Sequence, residues 1–227
     1  MKVAANSILS SLNPKRLSKI IVVRDDFTII GYVLMDYLAR FLKLRSLRDH
    51  NVKFKCECGY TFNAKLRDWW RFLFHFEPKT LTFLQKNVSK EDVVLDIGAH
   101  IGIHTIHLAK ITKFVYAIEP ELDNLRLLIR NISMNNVKKK VIILPYAVSS
   151  TDGLVNFCVS SESTGAHHIL SSNETSMDYK AILKVKAYTL DTLLLNILRL
   201  DHVDVIKIDV EGHELEVIKG GSKTTST

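Results

Sequence analysis

The sequence predicts an α/β fold in which helices on both faces cover a parallel sheet. Three observations predict it: apolar segments of strand length alternate with helical segments beyond residue 90, a glycine-spaced loop follows the first apolar segment, and an acid closes the second. This alternation is typical of parallel strands joined by right-handed crossovers. The predicted strands cover 93–97, 114–118, 140–146 and an inserted pair near 154–159 and 182–188, and the helices cover 101–110 and 122–134.

Residues 1–90 are predicted to form a small, mainly helical N-terminal extension. Apolar pairs recur at helical spacing over 27–47, which indicates an amphipathic helix. Asp36 and Arg40 interrupt this helix, whereas crossing a bilayer needs about 20 consecutive apolar residues. We therefore predict that this helix packs against the protein or a partner rather than spanning a membrane.

A hairpin and an aromatic helix complete the predicted extension. Two short strands, 52–56 and 60–63, flank Gly59, as expected for a hairpin. Trp69 and Trp70 belong to an aromatic-rich helix predicted over 65–76, and such a cluster is more typical of a core than of a substrate platform.

The extension carries the positive charge of the chain. Residues 1–90 contain 17 Lys/Arg against 7 Asp/Glu, whereas residues 91–227 contain 14 against 17. The bases are scattered among apolar residues, and no RNA-binding signature is present, so nucleic acid is not the expected partner. A solvated basic face is expected, and peripheral contact with an anionic membrane surface is the alternative.

The cysteines predict ordinary thiols. Cys56 and Cys58 are spaced C-x-C, whereas zinc sites usually use C-x-x-C and need two further ligands, and Cys158 is the third cysteine of the chain. Together with the lack of a convincing signal peptide, three cysteines indicate a reducing, cytoplasmic compartment.

The first predicted strand opens into a cofactor loop. Val93–Leu95 suit a strand buried on both faces, and Asp96 closes it before Gly98 and Gly102. The glycines let the backbone turn tightly and approach a ligand. A helix follows directly, so its N-terminal amides are predicted to point into the site.

A second acid indicates which cofactor binds. Glu119 closes the second strand 23 residues beyond Asp96, the place from which an acid accepts the hydroxyls of a ribose. The middle glycine of the dinucleotide motif is missing, and D-x-G-x-x-x-G over 96–102 resembles the S-adenosylmethionine loop of class I methyltransferases. A nicotinamide-dependent oxidoreductase stays an alternative, because it would share the strand, the loop and Glu119.

Segments beyond the cofactor loop indicate which group of methyltransferases the chain resembles. Pro145–Ser149, Thr189–Leu193 and Asp204–Gly212 follow the loop and Glu119-Pro120 in order. Together these segments resemble the FkbM-type methyltransferases over about residues 90–221. The resemblance implies a Rossmann-like class I methyltransferase that uses S-adenosylmethionine, mostly for O-methylation of natural products or sugar-containing molecules.

The resemblance and the loop chemistry together propose a set of cofactor-binding residues. They are Asp96, Gly98, Ala99, His100, Gly102, Thr105, Glu119, Pro120, Ala147 and Val148. Asp96 is expected to organise the methionine part, Glu119 the ribose, and residues 146–148 the adenine. His100 stands where the family often has Asn.

Candidate catalytic residues follow the fourth strand of the parallel sheet, which is predicted within Asp204–Gly212. Asp209 is the first candidate to take the proton of an acceptor hydroxyl or to orient the acceptor, and Glu211 and His213 are the next. Alternatively, Glu211 caps the following helix, and Lys207 simply pairs with a carboxylate.

No metal site is predicted, and two alternatives are kept for the polar loop 160–180. The helical spacing of His100, His104 and His107 lacks an H-E-x-x-H pattern, so ordinary histidines are expected. The polar loop 160–180 is either a substrate lid or disordered.

The last residues depart from the family pattern. The methyltransferase domain is predicted over 91–221, and a polar tail, 222–227, stands where the family continues into further strands. We therefore expect a truncated product that lacks the C-terminal strands, with the edge of its fourth strand unpaired and open to self-association. An inactive remnant is accordingly an alternative to an active enzyme.

Overall fold

The computed structural model describes residues 27–42, 45–56, 58–68, 77–161, 163–170 and 179–223. Most of the predicted aromatic helix, including both tryptophans, lies outside these residues. The chain divides into two compact units, the first comprising Met1–Gly59 with Ala64–Phe76 and the second Tyr60–Asn63 with Glu77–Thr227. The predicted domain boundary at residues 90 and 91 stays a prediction.

The first described elements are two helices and a hairpin. They are α1 (Phe27–Phe41), α2 (Arg45–Arg48), β1 (Asn51–Lys55) and β2 (Thr61–Lys65), and the two strands form a two-stranded sheet as predicted. The helix predicted over 27–47 is thus divided in two. Asp36 is buried and accepts hydrogen bonds from Arg40 and Arg48, both at 2.9 Å. The charges that interrupt the apolar pattern therefore join α2 to α1.

The expectation of three thiols is wrong. Cys56 and Cys58 form a disulfide, with their Cα atoms 5.2 Å apart. The turn of the hairpin, closed by a hydrogen bond from Gly59 N to Cys56 O, brings the two side chains together. Cys158 lies outside this disulfide and is buried.

The second unit contains the predicted parallel sheet. Its elements are α3 (Pro78–Asn87), β3 (Val93–Ile97), α4 (Ile103–Ile111), β4 (Phe114–Ile118), α5 (Leu122–Met134), a 3₁₀ turn (Lys138–Lys140) and β5 (Val141–Leu144), with β10 (Val205–Ile208) added at one edge. The order is β10-β3-β4-β5, and all three pairings are parallel. The α/β fold predicted from the sequence is therefore confirmed.

A second sheet lies between β5 and β10 in the chain. It consists of β6 (Ala147–Val148), β7 (Gly153–Ser160), β8 (His168–Ile169) and β9 (Tyr179–Tyr188), in the order β6-β9-β7-β8. The inserted pair is the antiparallel β7–β9 hairpin. The strand predicted over 140–146 stops at Leu144 because Pro145 has no amide hydrogen to donate to a sheet.

The remaining elements are a π-helix (Thr192–Leu198) and α6 (Glu214–Lys219). One core cluster combines β3 residues such as Leu95 and Ile97 with Val148 of β6 and with Leu193 of the π-helix. Among the described strands, β10 pairs with β3 alone and forms one edge of the parallel sheet. Within the described residues, none of the helices has the length and apolar character that a membrane span requires.

Candidate functional site

The site is built where three parallel strands end. Gly98 N and Ala99 N both donate to Ile118 O, at 3.0 and 2.9 Å, so the glycine loop is attached to the end of β4. Asp209 N donates to Ile97 O at 3.0 Å, which attaches the end of β10 to that of β3. Ligands of such sheets bind outside these carboxyl ends, so the loops that follow them form the candidate site.

Asp96 is the buried anchor of the site. Its Oδ2 accepts a hydrogen bond from Thr105 Oγ1 of α4 at 2.6 Å, and its Oδ1 lies 3.1 Å from Lys207 Nζ. Asp96 and Lys207 are register partners on β3 and β10, so their side chains leave the sheet on the same face. The carboxylate therefore positions α4 and a lysine at once.

Lys207 is a site residue that sequence reasoning treated only as a possible ion-pair partner. Its Nζ lies 3.3 Å from Asp209 Oδ2 and donates to Gly98 O at 3.3 Å. Burial disfavours its charge, but the attraction of Asp96 and Asp209 outweighs burial and raises the pKa of Lys207. A charged ammonium thus links the glycine loop to both acids.

The two glycines of the loop serve close packing. Gly98 has a φ of 78°, and a Cβ there would overlap the backbone carbonyl oxygen of Asp209. Gly102 has a φ of 90°, and a Cβ there would lie 2.6 Å from Leu128 Cδ1 of α5. The sequence suggests approach to a ligand as the reason for both glycines. The structure gives another: the backbone of Asp209 requires a glycine at position 98, and the left-handed φ favours one at position 102.

Glu119 is a buried acid held by backbone amides. Its Oε2 accepts from His100 N at 2.9 Å, and its Oε1 accepts from Glu121 N at 3.0 Å. Burial raises the pKa of Glu119 to about 7, although these hydrogen bonds and one from Asn124 oppose the shift. His100 has a φ of 52°, a left-handed conformation in which Asn and His are enriched.

We expect Glu119 to make the protein less stable as the pH rises from 4.5 to about 7. In this window the folded chain keeps a proton that the unfolded chain has lost, so ionisation opposes folding. A shift from 4.5 to about 7 corresponds to about 3 kcal/mol of unfolding free energy. Urea unfolding at several pH values should show this decline in the wild type and a flatter profile in Glu119→Gln. Parallel profiles for the two proteins would contradict the assignment.

Part of the predicted lid is packed on the glycine loop. Thr164 is buried, with its Oγ1 2.7 Å from His100 Nε2, and its carbonyl accepts from Asn124 Nδ2 at 3.2 Å. Thr164 therefore contacts both the loop and α5, whereas residues 171–178 lie outside the described part of the chain. A lid function stays a prediction.

Two of the three predicted catalytic residues have different described contacts. Asp209 lies beside Lys207, whereas His213 Nε2 is 3.0 Å from Ser149 Oγ beyond β6, and burial lowers the pKa of His213. Glu211 does not cap α6, because His213 occupies the N-cap position. Instead, Oε1 of Glu214 accepts from Val210 N and Gly212 N, at 3.1 and 3.2 Å.

The remaining predicted cofactor residues differ in exposure. Ala147 and Val148 are buried in β6, where Val148 joins the core, whereas Pro120 is half-buried between Glu119 and Glu121. Roles for these residues at an adenine stay predictions.

His104 is a further residue that sequence reasoning left out of the site. It lies in the first turn of α4 and is buried, with Nε2 3.6 Å from Glu77 Oε2. Burial and Lys207 lower the pKa of His104, against the opposing effect of Asp96, Glu77 and Asp209. The neighbourhood of the cofactor loop was the one sequence signal for it, because Glu77 and Asp209 are distant in the chain.

Comparison with known proteins identifies similar chains. The family model described as methyltransferase FkbM domain matches residues 96–227. The chain is 32% identical over 144 residues to hexuronic acid methyltransferase AglP of Haloferax volcanii, covering 63% of this chain and 56% of that protein. It is 25% identical to methyltransferase sdnD of Sordaria araneosa, covering 59% of this chain and 62% of that protein.

The chain thus spans little more than half the length of the curated relatives it matches. Among solved structures, that of methyltransferase FkbM from Methylobacillus flagellatus KT aligns with a TM-score of 0.42 at 17% identity, covering 70% of this chain and 39% of that one.

Proposed function

Since this chain belongs to the FkbM methyltransferase family, we propose that it uses S-adenosylmethionine to methylate a hydroxyl of a sugar-containing or other small acceptor. Two buried carboxylates carry the proposal. Asp96 and Glu119 lie at the carboxyl ends of neighbouring parallel strands, with the glycine loop between them. Family membership also removes the support for a nicotinamide-dependent oxidoreductase.

The residues present fit this methyl donor. Glu119 supplies carboxylate oxygens to accept hydrogen bonds from ribose hydroxyls. Asp96 acts as a positioning residue, because its carboxylate is fully buried and holds α4 and the glycine loop in place through Thr105 and Lys207. When bound, S-adenosylmethionine supplies a methyl group on a positively charged sulfur.

Asp209 is the proposed acceptor-side group. Its side chain is 46% exposed, at the mouth of the site, and Lys207 holds it in place. A carboxylate there can orient an acceptor hydroxyl and take its proton, while the enclosing loops align the reacting atoms and exclude water. Hexuronic acid, named for the relative from Haloferax volcanii, is the acceptor class to test first.

The other interactions and the cellular location expected from the sequence stay predictions. They are peripheral membrane contact through the basic extension, self-association through an open sheet edge, and a cytoplasmic location. Among the described residues, Tyr37, Leu38 and Phe41 on α1 have exposed apolar side chains that suit contact with a membrane surface.

Calorimetric titration with S-adenosylmethionine tests the proposed donor. We expect the wild type to bind it and Glu119→Ala to bind it about 10- to 100-fold more weakly, because hydrogen bonds to a charged group contribute about 1.5–3 kcal/mol each. Glu91→Ala, at an exposed acid before β3, should bind like the wild type.

Circular dichroism of each sample shows whether it is folded, and a parallel titration with NAD tests the other cofactor. A folded wild type that binds NAD instead, or that binds neither ligand, would refute the proposal. Binding of neither would favour the inactive remnant.

A further inference from the structure

Three potential metal ligands meet beside the glycine loop. One nitrogen or oxygen of each of Glu77, His104 and Asp209 lies within 4.8 Å of the others, with His104 Nε2 and Glu77 Oε2 at 3.6 Å. The three residues come from the start of α3, the first turn of α4 and the end of β10. The fold, and not a local sequence motif, therefore brings them together.

The three residues differ in burial, with the imidazole buried and both carboxylates accessible. The imidazole of His104 is 5% exposed, whereas the side chains of Glu77 and Asp209 are 41% and 46% exposed. A buried nitrogen beneath two accessible carboxylates leaves room above for water or a substrate. Surface acids alone would not include such a buried imidazole.

The local charge also favours a cation. Glu77, Asp209 and the nearby Asp96 supply three carboxylates, while Lys207 supplies one ammonium. Lys207 lies 3.3 Å from one oxygen of Asp209, Oδ2. A carboxylate can accept from several partners at once, so this ion pair is compatible with a further cation at Asp209.

We propose that Glu77, His104 and Asp209 bind a divalent metal ion that holds the oxygens of the methyl acceptor. The proposal rests on the methyltransferase function proposed above and identifies how its acceptor is held. One imidazole nitrogen and two carboxylate oxygens suit Mn²⁺, Co²⁺ or Zn²⁺. Three protein ligands leave coordination positions open, as in catalytic metal sites.

The location suits an acceptor hydroxyl. The backbone carbonyl of Asp209 packs against Gly98, so the metal site adjoins the loop assigned to the methyl donor. A metal ion held there would make the proton of an acceptor hydroxyl easier to lose, to Asp209 or to solvent. The oxygen would then form the new C–O bond as the S–C bond of the donor breaks, and the sulfur would leave as a neutral thioether. An acceptor with a carboxylate beside a hydroxyl, as in a hexuronic acid, offers two oxygens to one ion.

Electron paramagnetic resonance of Mn²⁺ tests the site without requiring activity. Titrating the full chain into Mn²⁺ should remove the signal of free ion with one site per chain. Glu77→Gln and His104→Gln should each weaken this binding at least tenfold. The matched controls Glu216→Gln and His202→Gln replace residues of α6 and of the loop before β10, outside the cluster, and should bind Mn²⁺ like the wild type.

Each outcome has a distinct meaning. Loss of the site in both cluster variants, but not in the controls, supports the proposal. A wild type that binds S-adenosylmethionine but neither Mn²⁺ nor Zn²⁺ overturns the metal site and leaves the methyltransferase proposal intact. The opposite pattern, metal binding without donor binding, overturns the proposed function instead. Unchanged Mn²⁺ affinity in His104→Gln would also overturn the site, as would chelator-resistant activity that depends on His104, which would indicate a general base.

Discussion

Replacing Gly98 with alanine is expected to destabilise the protein by about 3 kcal/mol or more. An L-residue in the left-handed region costs about 1–2 kcal/mol, and forcing atoms into a packed site costs about 1–3 kcal/mol more. Gly98 meets both conditions, because its φ is 78° and a Cβ would overlap the carbonyl oxygen of Asp209. The end of β10 would have to move, and the cofactor loop with it.

Gly59→Ala is the matched control for this substitution. Gly59 has a φ of 85°, but a Cβ there would meet nothing within 4 Å. It should therefore lose only the conformational contribution, about 1 kcal/mol. Urea unfolding of both variants measures the difference. If Gly98→Ala were no less stable than Gly59→Ala, the close approach of β10 to the loop would be wrong.

Replacing Lys207 with methionine is the second substitution with a large expected effect. Removing one partner of a buried ion pair typically destabilises a protein by about 3–5 kcal/mol, because the other charge stays buried without compensation. Asp96 is fully buried, and Thr105 Oγ1 would be its remaining described hydrogen-bond donor. The variant should also lose affinity for S-adenosylmethionine, because the hydrogen bond to Gly98 O is lost with the ammonium.

Two variants show whether the buried charge is responsible. Lys219→Met breaks an exposed ion pair with Glu216 and should change the unfolding free energy by less than about 1 kcal/mol. Adding Asp96→Asn to Lys207→Met removes the uncompensated charge and should recover part of the stability. Equal stability of Lys207→Met and Lys219→Met would exclude a structural role for the Asp96–Lys207 pair.

The elements around the cofactor loop could be predicted because their signals are local. The bounds of β3, β4 and α5 agree with the predicted 93–97, 114–118 and 122–134. Each segment has its own apolar periodicity, and Glu119-Pro120 marks the boundary between β4 and α5. Pro145 is an equally local signal, yet the strand was extended through it to residue 146. The second sheet also exceeded the prediction, because β6 pairs with β9 across 40 residues of chain.

The candidate site was predicted only in part. Asp96 and Glu119 were found because a strand end and a glycine loop mark them in the sequence. The sequence predicted for Lys207 only a pairing with a carboxylate, which the structure confirms, and it gave His104 no site role, because each gains its place in the site from partners on other elements. The prediction that Cys56 and Cys58 are thiols was wrong for a related reason. The turn between β1 and β2 decides how close the two sulfurs come.

By itself the sequence determined the α/β class, the order of β3, α4, β4, α5 and β5 along the chain, and the loop at which a nucleotide-like cofactor is expected. These follow from periodicity and spacing within short segments. The tertiary structure alone decided that Lys207 joins Asp96 to Asp209, that burial raises the pKa of Glu119, and that Glu77, His104 and Asp209 converge. Electrostatic environment depends on which side chains and how much water surround a group, and in a folded chain distant residues set both.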